Sequence, residues 1–181
     1  LRETGTTVLS QTPSAFRQLL LDPAFAAAND TLKLRRIVFS GEAVVTKDLE
    51  AWNKLHGVNG PELVNTYAIT ETGGQVAVRI YPQGLHDDRS GGNVGLPLSD
   101  TQLIILDEAQ QPQPAGQPGE LCVGGPGVAR GYLNQPELTA ASFIELPGVG
   151  RVYRTGDQAQ LLANGELEFL GRKDGQVKLR G

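Results

Sequence analysis

The chain has 181 residues, 39% of them apolar, and a formal charge of −4 at neutral pH, a balance that fits one sizeable buried core or two small ones and argues against disorder. No apolar run nears the roughly 18 residues that span a bilayer, the opening Leu1-Arg2-Glu3-Thr4 is unlike a signal peptide, and no Lys/Arg block offers nucleic acid an electrostatic footprint, so a cytoplasmic protein with neither membrane nor nucleic-acid partners is expected. Cys122, the single cysteine, excludes an internal disulfide, and no CxxC or paired-His spacing offers a metal site.

The first ninety residues read as α/β. Thr6-Thr7-Val8-Leu9 is β-branched and strand-like, and Pro13-Ser14 opens a helical pattern with Phe16, Leu19 and Leu20 on one face. Residues 34–39 form a second β-rich run that Gly41 breaks. Thr46 is placed to cap a helix whose Leu49, Trp52 and Leu55 share a face until Gly57, and Leu63-Val64 begins a third strand. Alternating strands and helices predict a parallel sheet with its functional residues at the strands' carboxyl ends, here Ser10, Ser40 and Asn65-Thr66-Tyr67.

From about residue 91 the pattern changes to short strands over residues 103–106, 120–123, 160–162, 167–169 and 177–179, separated by Gly, Pro, Asn or Asp. That is the grammar of a β-barrel or sandwich. Asn164-Gly165 predicts a two-residue type I′ hairpin, since both central residues of that turn need positive φ. The boundary between the two parts is placed at residues 86–91, and residues 110–117 read as a Gln/Pro-rich surface loop.

Asn65-Thr66-Tyr67-Ala68-Ile69-Thr70-Glu71-Thr72 sets an amide, a phenol, hydroxyls and a carboxylate directly after a predicted strand. An aromatic face can stack on a base, a threonine can donate to a phosphate oxygen, and a glutamate can hold Mg²⁺ beside it. The ordinary alternative is a helix start with Thr70 as cap and Glu71 in the first turn. Asp157, after Gly156, can face a ligand diol or simply bond its own backbone in a turn, and Arg172 can grip a ribose or phosphate or stand in a charged turn. Gly124-Gly125-Pro126-Gly127 lacks a following helix start and reads as a barrel turn. His56 and His86 read as surface residues, Cys122 as a small mid-strand hydrophobe, and no nucleophile–base pair supports covalent hydrolysis.

In order along the chain, these segments resemble the adenylation domains of nonribosomal peptide synthetases, within the adenylate-forming enzymes that include acyl-CoA synthetases and luciferases. Asn65-Thr66-Tyr67-Ala68-Ile69-Thr70-Glu71 is similar to the family's NxYGPTE. Gly119-Glu120-Leu121-Cys122-Val123-Gly124-Gly125 followed by Gly127-Val128-Ala129-Arg130-Gly131-Tyr132-Leu133 is similar to GELxIxGxGVARGYL. Tyr153-Arg154-Thr155-Gly156-Asp157 matches Y(R/K)TGD, and residues 171–181 match GRxDxQVKIRG almost throughout. Leu34-Arg35-Arg36 through Gly41-Glu42-Ala43 is similar to LRxxxxGGEAL, so the resemblance covers the whole chain.

The resemblance implies that residues 1–90 belong to the αβαβα portion of the family's large domain and residues 91–174 to its distorted β-barrel, with residues 175–181 starting a linker to a small C-terminal domain. The family's Ser/Thr/Gly-rich phosphate loop and the C-terminal domain with its lysine are not found. Methionine is also lacking, even at position 1, so the chain is expected to be part of a longer or processed polypeptide that would be inactive alone.

The implied activity is ATP-dependent activation of an amino acid or related carboxylic acid as acyl-AMP, then loading onto phosphopantetheine of a peptidyl carrier domain, in secondary metabolite biosynthesis. The implied nucleotide set is Asn65, Tyr67 stacking on adenine, Asp157 on the ribose hydroxyls, Phe169 near the adenine and Arg172 near the ribose. Thr70 is implied to contact the α-phosphate and Glu71 to bind Mg²⁺. Ser10, Val38, Ser40, Thr66, Gly74 and Gln75 match the pocket for the acid, and Asp174 the hinge about which the C-terminal domain turns. Ala68-Ile69 replaces the usual Gly-Pro, a mild change, and Gly73-Gly74-Gln75 alters the pocket wall; the aspartate that in the family clamps an amino acid's α-ammonium is expected upstream of Leu1, which leaves the acid open among amino, keto, hydroxy and aryl types. An acyl-CoA ligase, or a nucleotide-binding module without catalysis, are the alternatives.

Overall fold

The structure, a computed structural model, describes residues 1, 3–26, 32–82 and 92–173. These form two compact units, one of residues 1–66 and 79–82, the other of residues 67–78 and 92–173. The 86–91 boundary, the 177–179 strand, His86 and Asp174 lie outside the described residues.

In the first unit, strands β1 (Val8–Gln11) and β2 (Arg36–Phe39) and the start of β3 (Glu62–Ile69) are parallel, with Ser10 opposite Val38 and Val38 opposite Val64. Helix α1 (Pro13–Leu20) follows β1 and begins as its sequence requires. Thr12 caps it by accepting from Ala15 N at 3.3 Å, and Pro13 needs no partner for a missing N–H. Glu42, in the loop after β2, accepts from Ser14 N and Ser14 Oγ at 3.0 Å, which fixes that loop over the helix start.

A short helix α2 (Pro23–Ala26) precedes β2, and α3 (Thr46–His56) follows it. Val45, not Thr46, is the residue before α3, and it makes no side-chain cap bond; Arg17 of α1 instead pairs with Asp48 in the first turn at 2.9 Å. The core is aromatic: Phe16 meets Phe39 at 5.0 Å and Trp52 at 5.4 Å, and Trp52 is 1% exposed.

The second unit is antiparallel, in the order β4-β5-β10-β9-β7-β6 with β8 also on β9. Its strands are β4 (Gly74–Ile80, whose last residues belong to the first unit), β5 (Asn93–Pro97), β6 (Gln102–Leu106), β7 (Gly119–Gly124), β8 (Phe143–Leu146), β9 (Gly150–Leu161) and β10 (Leu167–Arg172). Helix α4 (Pro136–Ser142) enters β8 directly. Strand β7 is buried on both faces: Leu121 and Val123 join one apolar cluster with Ile105 and Leu167, while Cys122 joins Leu106, Leu146 and Val152 in another.

Beyond the cap of α3, the fold departs from the sequence reading in three places. Asp157 lies inside β9, a strand of 12 residues, rather than in a turn, because Gly156 takes φ +71° and the register shift against β7, between Arg154 and Gln158, absorbs the kink without ending the strand. The β9–β10 connection is not a type I′ turn, since Gly165 has φ +84° and Asn164 does not share a positive φ. Its residues 162–166 close through Leu162 N donating to Glu166 O at 2.8 Å, a longer loop that needs one left-handed residue only. His56 is half-buried, stacked on Trp52 with ring centroids 3.5 Å apart, because the last turn of α3 folds it onto the core. No helix among the described residues is long and apolar enough to cross a membrane.

Candidate functional site

The most organised polar cluster of the second unit centres on Asp157, which is 6% exposed. The ladder sets Arg172 of β10 opposite Asp157 of β9, and Arg172 Nη1 donates to Asp157 Oδ1 at 2.9 Å and to Thr155 O at 2.8 Å. The Tyr67 hydroxyl donates to Asp157 Oδ2. Thr155 Oγ1 accepts from Asp157 N at 2.9 Å and donates to Leu121 O at 2.8 Å, tying this part of β9 to β7. A buried carboxylate is costly without such partners; here one cation and one phenol donor offset the desolvation.

Burial, then the charge of Asp157, pushes the Tyr67 phenol above its ordinary pKa, so it remains a proton donor. Phe169, also on β10, sits with its ring 6.2 Å from that of Tyr67 and tilted by 39°. Tyr67, Asp157, Phe169 and Arg172 are thus brought together. An aromatic pair, a fixed carboxylate and a guanidinium suit a planar heterocycle carrying a diol, since each carboxylate oxygen retains a further lone pair for an incoming hydroxyl.

A second cluster surrounds the 3₁₀ turn Thr70–Thr72, which Gly73 ends in the left-handed region at φ +83°. Ile69, not Thr70, precedes this turn, and Thr72 Oγ1 donates to Ile69 O at 3.1 Å. Glu71 is held twice from the loop after β7: Ala129 N donates to its carbonyl at 2.8 Å, and the Tyr132 hydroxyl to its Oε1 at 2.8 Å. The Tyr153 hydroxyl lies 3.3 Å from that of Tyr132. Burial and the nearby Glu71 carboxylate push both phenols up, more strongly at Tyr153. Thr70 is exposed beside this cluster.

Gln75 lines a cleft of about 300 Å³ together with Thr72, Val76, Asp100, Val123 and Val128, and Gly74 opens β4 next to it. In the first unit, Ser10, Val38, Ser40 and Thr66 gather at the carboxyl ends of the parallel strands. Ser40 N donates to Gln11 O at 3.3 Å, and Thr66 Oγ1 to Phe39 O at 2.9 Å. Asn65 is buried in β3 opposite Phe39.

Among the described residues no group of three His, Cys, Asp or Glu side chains could hold a metal ion, Glu71 included. One carboxylate fits Mg²⁺ that arrives on a nucleotide, because such ions take most of their ligands from phosphate and water. Cys122 is fully buried, and its thiol is pushed up to about 12 by burial and by Glu120, which removes it as a nucleophile. The sequence reading assigned no role to Tyr132, Tyr153 or Thr155, although each stands inside a quoted motif.

Residues 1–133 match the family of AMP-binding enzymes. The whole chain is 45% identical to part of a plipastatin synthase polypeptide of Bacillus subtilis (strain 168), and 98% of it is 43% identical to part of a dimodular nonribosomal peptide synthase of the same organism. The chain spans 7% and 8% of those relatives. A solved structure of PA1221, described as an NRPS protein containing adenylation and PCP domains, superposes on 99% of the chain with a TM-score of 0.84 and 33% identity, and the chain covers 36% of it.

The chain therefore belongs to the AMP-binding enzymes, and its fold is that of the C-terminal part of the large domain of an adenylate-forming enzyme. Within that family it groups with the adenylation modules of nonribosomal peptide synthetases.

Proposed function

We propose that the chain forms part of a ligase that activates a carboxylic acid with ATP. The acid's carboxylate oxygen attacks the α-phosphorus, the bond to the leaving pyrophosphate breaks, and acyl-AMP results. A phosphopantetheine thiol of a carrier domain then attacks the acyl carbonyl and AMP departs. The observation that carries this reading is the buried Asp157 held by Tyr67 and Arg172 with Phe169 alongside.

In this reading Tyr67 and Phe169 flank adenine, while Asp157 accepts from the ribose hydroxyls and Arg172 keeps that carboxylate aimed. Thr70 donates to a nonbridging α-phosphate oxygen. Glu71 is the side chain that would hold Mg²⁺, whose charge, when bound, offsets that building on the phosphate. Ser10, Val38, Ser40 and Thr66 would face the acid's side chain, and Asp174 would serve as the hinge. Catalysis is then mostly positioning and charge neutralisation.

The test is acid-dependent ATP–pyrophosphate exchange by the full polypeptide that carries this chain, across amino, keto, hydroxy and aryl acids. Exchange with one acid class is the expected result and names the substrate. Silence across the panel, with ATP still bound, would assign the chain to nucleotide binding without catalysis. Transfer to free coenzyme A in preference to a carrier domain would assign it to the acyl-CoA ligases.

A further inference from the structure

The loop that follows β7 carries a part of the sequence that the proposed chemistry leaves without a role, and it is built around Glu71. Gly127 packs so close to the Thr70–Thr72 turn that a Cβ there would lie 2.3 Å from Thr72 O, so only glycine permits the approach. Two residues on, Ala129 N bonds the Glu71 carbonyl at 2.8 Å. Gly131, at φ +142°, would meet Thr139 Cγ2 at 2.3 Å if it bore a Cβ, and Thr139 Oγ1 accepts from Tyr132 N at 2.9 Å. Tyr132 is therefore held at its backbone by α4, at its ring by Phe143 edge-on at 5.5 Å, and at its hydroxyl by Glu71 Oε1.

A glutamate side chain on a turn has several rotamers, and only some direct a carboxylate oxygen at a neighbouring phosphate. A phenol that is itself fixed on three sides selects among them. We propose that Tyr132 is a positioning residue for Glu71: by holding Oε1 it sets the direction of Oε2 toward a nucleotide-bound divalent cation. Tyr153, whose hydroxyl is 3.3 Å from that of Tyr132, steadies the phenol in turn. The inference rests on the reading of Glu71 as the cation's ligand, and it adds residues that act through Glu71 rather than on the nucleotide.

The experiment compares ATP dissociation constants, with saturating Mn²⁺ and with EDTA, for the full polypeptide and its Tyr132→Phe, Tyr153→Phe, Glu71→Gln and Tyr132→Phe/Glu71→Gln variants. The ratio of the two constants isolates what the cation contributes. Phenylalanine keeps the ring packing and removes only the hydroxyl. Partners in a metal's outer shell typically change affinity by about 10–100-fold, so Tyr132→Phe is expected to shrink the Mn²⁺ ratio about tenfold and leave the metal-free constant unchanged. Tyr153→Phe should shrink it less, and the double variant should lose no more than Glu71→Gln alone. Equal weakening with and without Mn²⁺ would show a general structural effect and overturn the proposal. So would an unchanged ratio in Tyr132→Phe where Glu71→Gln collapses it, or a further loss in the double variant. An unchanged ratio in Glu71→Gln would instead remove the metal role of Glu71, and the proposal with it.

Discussion

Arg172 and Asp157 show how much one side chain depends on its neighbours. Removing the guanidinium leaves a carboxylate whose side chain is 9% exposed with the Tyr67 hydroxyl as its remaining partner. Breaking a fully buried pair costs about 3–5 kcal/mol. Arg172 is 28% exposed and solvent screens part of its charge, so Arg172→Leu is expected to destabilise the protein by about 1–3 kcal/mol in urea unfolding, and to weaken ATP binding besides. Cys122 is the opposite case, a reactive group silenced by its surroundings. With a thiol pushed up to about 12 and no exposed surface, it should resist iodoacetamide at pH 8 in the native protein and react promptly in denaturant. Native alkylation at the rate of a free thiol would contradict this burial.

Among the elements, α3 carries a pH dependence that its sequence does not announce. Burial against Trp52 lowers the His56 pKa below its ordinary 6.5, and its Nε2 is buried with no hydrogen-bond partner. The unfolded chain therefore binds this proton more readily than the folded one. Stability is expected to be fully present above about pH 6.5 and to fall as the pH drops through the depressed folded value. His56→Phe, which keeps the stack but cannot be protonated, should flatten thermal unfolding between pH 7 and 5 by this amount, and an unchanged slope would refute it. The strand β9 illustrates a different dependence. Its length comes from partners on both sides: Tyr153 stands opposite Phe143 of β8 and Val123 of β7, and Asp157 opposite Arg172 of β10. Along the chain Gly156 suggests a turn; with three strands paired to β9, the kink is carried inside the ladder.

For the molecule as a whole, Glu71 is the residue on which the proposed activity turns. Glu71→Ala in the full polypeptide should lower kcat of acyl-AMP formation by roughly two to three orders of magnitude, comparable to removing one preorganised charge-stabilising group elsewhere. It should leave metal-free ATP binding nearly intact, and near-normal turnover would exclude the metal role. The parallel sheet of the first unit and the motif order along the chain were legible in the sequence because both depend on local signals. Periodicity at Phe16, Leu49 and Trp52, the Pro13 helix start, and runs such as residues 65–71 and 153–157 need no knowledge of distant partners. The candidate residues Tyr67, Asp157 and Arg172 were named because the motifs that hold them resemble those of a known family; local signals alone left each with an ordinary turn or cap reading. What the sequence by itself determined, then, was the class of the protein and the residue types of its chemistry. Only the tertiary structure decided that Tyr67 and Arg172 share one carboxylate, that the loop through Gly127 and Tyr132 grips Glu71, and that His56 lies against Trp52. The first two are contacts across strands or loops far apart in sequence, set by register, bulges and glycine-permitted close approaches, whereas His56 and Trp52 stand one turn apart on α3 and what the fold decided there is their burial.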